Sequence, residues 1–296
     1  MSAARPAEGG VRFLASVRSA EEARVALAGG ADIIDAKEPL AGALGAVALD
    51  EIAHVVQVVK GERVDGSGYP ADVREWSDGD RGHSARYAGR SAGDRAHSAE
   101  NPARSAYKDR LLADTRASIS ATIGDCDLSE AAERVAMVAE TGVDYVKIGL
   151  FGEVSAAAFD ALEHCSASGI RLIAVMLADR APDFAQIRRL AEAGFSGVML
   201  DTAGKGDGSL LSHMSMAQLT DFIGESCRFG LLAGLAGSLK AEDARALMPL
   251  RPDVLGFRGA LCAGGARGET LEFQRVTAMR RLIRDSAGAE MIAGMA

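Results

Sequence analysis

The chain has 296 residues, 48% of them hydrophobic and 25% charged, with a formal net charge of -8. That is room for two ordinary domains or one large α/β barrel with a sizeable core, and the acidic balance argues against nucleic acid or an anionic membrane as the main partner. The opening residues MSAARPAEGG lack the apolar segment of an export signal, and no apolar run reaches the roughly 20 residues that span a bilayer, so a cytoplasmic protein is expected.

Taken in chain order, short apolar runs alternate with amphipathic helical stretches. RFLASV (12–17) reads as a strand before the helix SAEEARVALAGG, and ADIIDAK (31–37) as a strand before LDEIAHVVQVVK (49–60). ASISATIGD (117–125) precedes LSEAAERVAMVAETG, and DYVKIGL (144–150) precedes VSAAAFDALEHCSASG. RLIAVMLAD (171–179) precedes DFAQIRRLAEAG, and FSGVMLDTA (195–203) precedes MAQLTDFIGESCRFG. LLAGLAGSL (231–239) precedes AEDARALMPL, and VLGFRGALC (254–262) precedes LEFQRVTAMRRLIRDS. Strands apolar on both faces, each followed by a helix, indicate a parallel sheet covered on both sides. Eight such units predict a single-domain α/β fold, a (β/α)₈ TIM barrel; an open doubly wound sheet is the alternative. AGG, TG, SG, AG and FG end five of the helices just before a strand, as glycine C-caps do. Ser129-Glu130 and Ser155 sit near helix starts, where a hydroxyl caps well.

One segment breaks the pattern. Residues 64–110 contain no Ile, Leu, Phe, Met or Cys and are rich in Gly, Ser, Arg and Asp. They hold a degenerate repeat of period 14, GDRGHSARYAGRSA (79–92) followed by GDRAHSAENPARSA (93–106), in which nine of 14 positions agree. Such a composition cannot bury enough apolar surface to order itself. Residues 64–110 are therefore expected to be a disordered, low-complexity insertion on the barrel face opposite the active site. The barrel then spans 11–63 and 111–286, with flexible tails at 1–10 and 287–296. His83 and His97 fall in the insertion and are set aside as catalytic candidates.

The basic residues are distributed unevenly. Of 33 lysines and arginines only six are lysines, and four of those, Lys37, Lys147, Lys205 and Lys240, lie at or just past predicted strand C-termini. Barrel enzymes carry their catalytic groups there. Lysine, unlike arginine, can lose its proton and act as a nucleophile or base. Side chains two residues apart on a strand share a face, so Asp35 and Lys37 both face the barrel axis if Ile34 and Ala36 face the helices. Asp201 is a second acid in an apolar run, GVMLD, and a buried carboxylate needs a cation or donors. Crowded ammonium groups disfavour one another's charge, which favours a neutral amine able to attack a carbonyl. A plain ion pair of Lys37 with Asp35 is the structural alternative. After strands 7 and 8, LAGSLK (235–240) and FRGALCAGGARG (257–268) are glycine-rich loops of the kind that hold a phosphate. Gly237, Ser238, Gly259 and Ala260 are the candidate cradle, with Arg258 or Lys240 supplying charge. The four cysteines form no CxxC pair, His54, His164 and His213 are dispersed, and no nucleotide, zinc-protease or serine-hydrolase motif is present, so no metal site is expected.

In order along the chain, ADIIDAKEPLAGALGA, SATIGD, DYVKIGLFG, VMLDTAGKGDG, LAGSLK and GFRGALCAGG resemble the segments of the (5-formylfuran-3-yl)methyl phosphate synthase family of methanofuran biosynthesis. The resemblance runs from about residue 12 to 284, apart from the insertion. It implies a (β/α)₈ barrel that condenses two molecules of glyceraldehyde 3-phosphate into a furan phosphate, with loss of phosphate and water. It implies Lys37 as the Schiff-base lysine and Lys147 as the proton acceptor, with Asp35, Asp201 and Lys205 at further active-site positions. It implies no metal or organic cofactor, and a small sugar phosphate as the partner. Residues 1–10 and 64–110 have no counterpart in the compact relatives, and RLIAVMLADRAPDF (171–184) matches only loosely. Two other readings use the same residues: a class I aldolase-type barrel acting on another sugar phosphate, and a non-catalytic barrel that binds a phosphorylated metabolite. Assembly into a homo-oligomer is compatible with each.

Overall fold

In a computed structural model, which describes residues 10–61, 117–151, 154–204 and 208–293 (287–293 for the backbone alone), the eight predicted strands pair in chain order and close on themselves. They are β1 Arg12–Val17, β2 Ile33–Ala36, β3 Ser118–Thr122, β4 Tyr145–Gly149, β5 Leu172–Leu177, β6 Gly197–Asp201, β7 Leu232–Leu235 and β8 Val254–Phe257. β1 pairs in parallel with both β2 and β8. That pairing makes the fold a (β/α)₈ barrel and excludes the open sheet. The helices are α1 Ala20–Ala28, α2 Leu49–Lys60, α3 Ala131–Glu140, α4 Ala156–Ala167, α5 Gln186–Glu192, α6 Leu210–His213, α7 Met216–Arg228, α8 Ala241–Leu247 and α9 Phe273–Ala293. No described helix is long and apolar enough to cross a membrane.

The barrel unit is built from both sides of the segment Asp65–Thr115. The expected insertion, 64–110, lies outside the described residues, as does the N-terminal tail apart from Gly10. The expected C-terminal tail, 287–296, is not wholly separate from the barrel, because α9 continues to Ala293. Alanine and methionine recur there beside Glu290, and all three are strong helix formers.

The apolar runs are explained by two packing layers. One strand face packs outward against the helices through Phe13, Ala15, Val17, Ile34, Ala36 and Val198. The alternate positions Leu14, Ile33, Val175, Met199 and Val254 form a separate cluster inside the barrel. Strands buried on both faces show no simple polar alternation.

Helix ends follow the expected chemistry, with one exception. The five expected cap glycines, Gly30, Gly142, Gly169, Gly194 and Gly230, take φ between 78° and 93°. At Gly230 the N–H donates to the Cys227 carbonyl and the N–H of Leu231 donates to the Ser226 carbonyl, the paired bonds of a Schellman ending. The Ser155 hydroxyl caps α4 by accepting from the Ala158 N–H. Ser129 does not cap α3: its hydroxyl donates to the Asp127 carboxylate instead, and the cap position is Glu130 with no side-chain bond.

Three even-numbered strands begin just after an aspartate that holds the start of the strand before it. Asp32 accepts the Phe13 amide at 2.8 Å, Asp144 the Ile119 amide at 2.8 Å and Asp253 the Ala233 amide at 3.0 Å. Arg280 pairs with Asp32 and Arg171 with Asp144, balancing the charge. These carboxylates set the stagger at the barrel's N-terminal rim. Asp144→Ala strands the buried Ile119 amide and should cost about 1–3 kcal/mol, read as a lower urea midpoint at unchanged slope; an unshifted midpoint would show that water replaces the carboxylate.

Candidate active site

Along the inner face the side chains change from apolar to polar toward the strand C-termini. Leu14 is followed by Ser16 on β1, Ile33 by Asp35 and Lys37 on and after β2, and Met199 by Asp201 on β6. Strand register then places Asp35 between Ser16 and Ser120, and sets Thr122 opposite Lys147.

Asp35 is fully buried. Its Oδ1 accepts from the Ser120 hydroxyl at 2.6 Å and pairs with Lys147 Nζ at 2.6 Å, and its Oδ2 accepts from the Ser16 hydroxyl at 3.0 Å. Lys37 Nζ lies 2.6 Å from Asp201 Oδ2, and Asp201 Oδ1 accepts the Thr202 amide at 2.8 Å. Both residues of this second pair are buried to within 8% exposure. Asp35 and Lys37 thus face inward, as period-two geometry requires, but they do not pair with each other. Two residues separate them by roughly 6–7 Å along the strand, so each pairs with a different strand at its own level. The crowding of ammonium groups expected from the sequence is replaced by one carboxylate per amine.

Lys37, Asp201 and Ser16 open onto a cleft of about 1220 Å³ at the C-terminal ends of the strands. Gly237, Ser238, Lys240, Arg258, Gly259 and Ala260 line the same cleft. Lys147 lies deeper, beside a space of about 40 Å³ in the barrel interior. Lys205 lies outside the described residues. Gly237, at φ 107°, has to be glycine, since a Cβ there would sit 2.8 Å from Thr202 Cγ2. Ser238 follows at φ 50°, a left-handed conformation costly for a side-chain-bearing residue and retained at functional turns. Lys240 is exposed at the rim.

Arg258 is placed differently from its expected role. Its Nε donates to the Arg267 carbonyl, Nη1 to the Ser16 carbonyl and Glu22, and Nη2 to Glu22 and the Glu269 carbonyl. A guanidinium has five N–H groups, and all are engaged within the protein. Arg258 therefore braces β8 against α1 and β1, with no donor left for a phosphate.

Sequence reasoning passed over two further carboxylates. Asp125, after β3, accepts the amides of Ala43 at 2.8 Å and Leu44 at 2.9 Å, one on each oxygen. Asp179, after β5, accepts those of Ala203 at 3.0 Å and Gly204 at 2.7 Å in the same way. The clasped loops are those that directly follow Lys37 and Asp201. Gly42 lies so close to the first clasp that a Cβ would come within 2.2 Å of Asp125 Oδ2. Leu44, held further by the Thr122 hydroxyl on its carbonyl, joins the inner apolar cluster. Burial pushes the Asp179 carboxyl up, but the Ala203 and Gly204 amides more than offset it and hold it below the usual carboxylate range.

A family model described as 4-HFC-P synthase matches residues 13–79 and 98–280 of this chain. Its break falls inside the low-complexity segment but is narrower than 64–110. The (5-formylfuran-3-yl)methyl phosphate synthase of Methanococcus aeolicus is 29% identical over 272 residues, covering 87% of this chain and 92% of its own. A relative from Methylorubrum extorquens, named for the same activity, is 36% identical over 278 residues, covering 93% and 91%. The 3-hexulose-6-phosphate synthase of Salmonella typhimurium is alike in fold alone, with a TM-score of 0.51 at 15% identity over 91% of this chain and 98% of that one.

The Asp179 clasp has a defined pH dependence. A carboxyl whose folded pKa is depressed contributes stability above its unfolded value and loses it as pH falls through the folded one. Asp179→Asn should therefore lower Tm at pH 7 and approach the parent Tm under acid conditions below the ordinary carboxylate range of about pH 4; an equal loss at both pH values would show that charge plays no part in the clasp.

Proposed function

The chain belongs to the 4-HFC-P synthase family, the (5-formylfuran-3-yl)methyl phosphate synthases of methanofuran biosynthesis, and from that premise we propose that it condenses two molecules of glyceraldehyde 3-phosphate through a Schiff base on Lys37. The observation that carries this reading is the Lys37–Asp201 pair on the wall of the large cleft. An amine that attacks a carbonyl must first shed a proton, and the carbonyl oxygen must gain protons to leave as water. Asp201, in contact with Nζ and oriented by the Thr202 amide, is placed to take the first proton and return it to the departing oxygen. The resulting iminium draws electrons from the neighbouring carbon and makes its proton removable.

Lys147 is the assigned proton acceptor. It reaches the cleft through Asp35 and the Ser16 hydroxyl, which lines the cleft and donates to Asp35. Carbon–carbon bond formation, ring closure, loss of one phosphate and loss of two waters then balance the atoms of two triose phosphates against one furan monophosphate. The Gly237–Ser238 turn, with Gly259, Ala260 and Lys240 nearby, holds the phosphate of the substrate bound at Lys37. Lys205 keeps the further active-site position that the family resemblance assigns it. Amine and carboxylate chemistry suffices for every step, and we assign the enzyme no metal or organic cofactor and a cytoplasmic location.

Borohydride reduction in the presence of glyceraldehyde 3-phosphate, followed by peptide mass spectrometry, tests the assignment. The adduct is expected on Lys37, alongside an ultraviolet-absorbing furan product. Lys37→Arg should lose both, by at least a thousandfold in turnover, with an unchanged circular dichroism spectrum. An adduct on Lys147 or Lys240 would overturn the roles, and an aldol product without ultraviolet absorption would favour the aldolase reading.

A further inference from the structure

Beside the cleft that holds Lys37 lies a second cavity of about 500 Å³. Its walls come from loops at the C-terminal ends of five strands: Pro39 and Ala43 after β2, Asp125 after β3, Arg180 after β5, Ala203 after β6 and Arg267 after β8. Pro39 and Arg267 line both spaces, so the two cavities share a wall.

Among the described residues, the charges on this cavity are unbalanced. Asp125 contributes a carboxylate, but both of its oxygens are occupied by the Ala43 and Leu44 amides. Arg267 is half-buried, and among the described residues its guanidinium donates no hydrogen bond and forms no ion pair. Burial lowers its hold on the proton, the charge of the nearby Asp201 works the other way, and Arg258 and Glu38 add smaller opposing effects. Arg180 lies with its guanidinium 5.7 Å from the centre of the Phe151 ring and has no carboxylate partner among the described residues. The contrast with Arg258, whose donors are all engaged, is direct. Donors of a partly desolvated cation that find no partner among the described residues favour an added acceptor, and a guanidinium fork matches the oxygens of a phosphate.

We propose that this second cavity is an anion subsite for the phosphate of a phosphomonoester, with Arg267 and Arg180 as its donors. The proposal rests on the two-substrate reading above only for the identity of its occupant, the second aldehyde phosphate, whose carbon skeleton then extends across the shared wall toward Lys37. The inorganic phosphate that the reaction releases offers the same chemistry.

Equilibrium dialysis of the full chain with radiolabelled inorganic phosphate counts the anion sites. Two per chain are expected for the parent protein, and one for Arg267→Gln and for Arg180→Gln. An unchanged count in both variants overturns the proposal. Steady-state kinetics separates the two sources. Occupancy by the second substrate raises KM for glyceraldehyde 3-phosphate about tenfold or more in each variant, while borohydride still traps the first substrate on Lys37. Occupancy by released phosphate leaves KM unchanged and weakens inhibition by added phosphate. Loss of trapping in Arg267→Gln with the phosphate count intact would place Arg267 in the first cleft and overturn the assignment. A parent protein that makes no furan would defeat the reading of the reaction, yet the dialysis count would still report on the subsite.

Discussion

A carboxylate buried in the throat of a barrel must be met by positive charge, and here two carboxylates are each met by one lysine. Transferring such ions out of water costs several kcal/mol apiece, so Asp35 and Asp201 are tenable only because Lys147 and Lys37 stand 2.6 Å away. The remaining lone pairs are satisfied as well, by the Ser16 and Ser120 hydroxyls on Asp35 and the Thr202 amide on Asp201. Removing one member takes the counter-ion from a buried charge, a loss of roughly 3–5 kcal/mol in comparable buried pairs. The chemistry proposed for Lys37 and the solvation of the barrel throat therefore use the same atoms. The stagger of β1, β2, β3, β4 and β6 has to be correct for either to work.

Much of this was legible beforehand. Alternating apolar runs and helical stretches gave the eight units, because strands covered on both faces leave an unmistakable pattern. Period-two geometry turned Asp35 and Lys37 inward. The partners could not be read, because Lys37 and Asp201 are 164 residues apart and meet only through barrel closure. Strand ends were drawn too long where apolar residues continue past the last ladder bond: LLAGLAGSL reaches residue 239, but β7 stops at Leu235. Arg258 was read as a phosphate ligand from its glycine-rich loop, and nothing local in the sequence points to Glu22 on α1. The hydroxyls around Asp35 had a visible signal. Ser118, Ser120 and Thr122 alternate with apolar residues along SISAT, the mark of a polar inner face.

The C-terminal face of the barrel is built from loops, yet its loops are tied down. Asp125 and Asp179 perform the same operation at separate places: one carboxylate accepts two consecutive amides of the loop that follows Lys37 or Asp201. Side chains that must hold a reacting group to within fractions of an ångström need backbone that does not wander. The two clasps achieve this without regular secondary structure. They also account for the company these motifs keep, since the Asp of SATIGD serves the loop PLAGALGA, and the Asp of RLIAVMLAD serves DTAG.

The brace at Arg258 has a consequence for how the chain reaches this state. It joins β8 to Glu22 across 236 residues of sequence, at the seam where the first and last strands meet. Contacts of such high sequence separation bear the greatest loop-closure cost and slow folding. During synthesis the first unit, with Lys37 already made, must wait with an open sheet edge until residue 258 has emerged, its Glu22 held meanwhile only by the neighbouring Arg18. Asp201 arrives only shortly before. Lys37 thus acquires its counter-charge, and the barrel its closure, only late in synthesis, so a truncated or stalled chain presents neither a sealed sheet nor the completed Lys37–Asp201 pair.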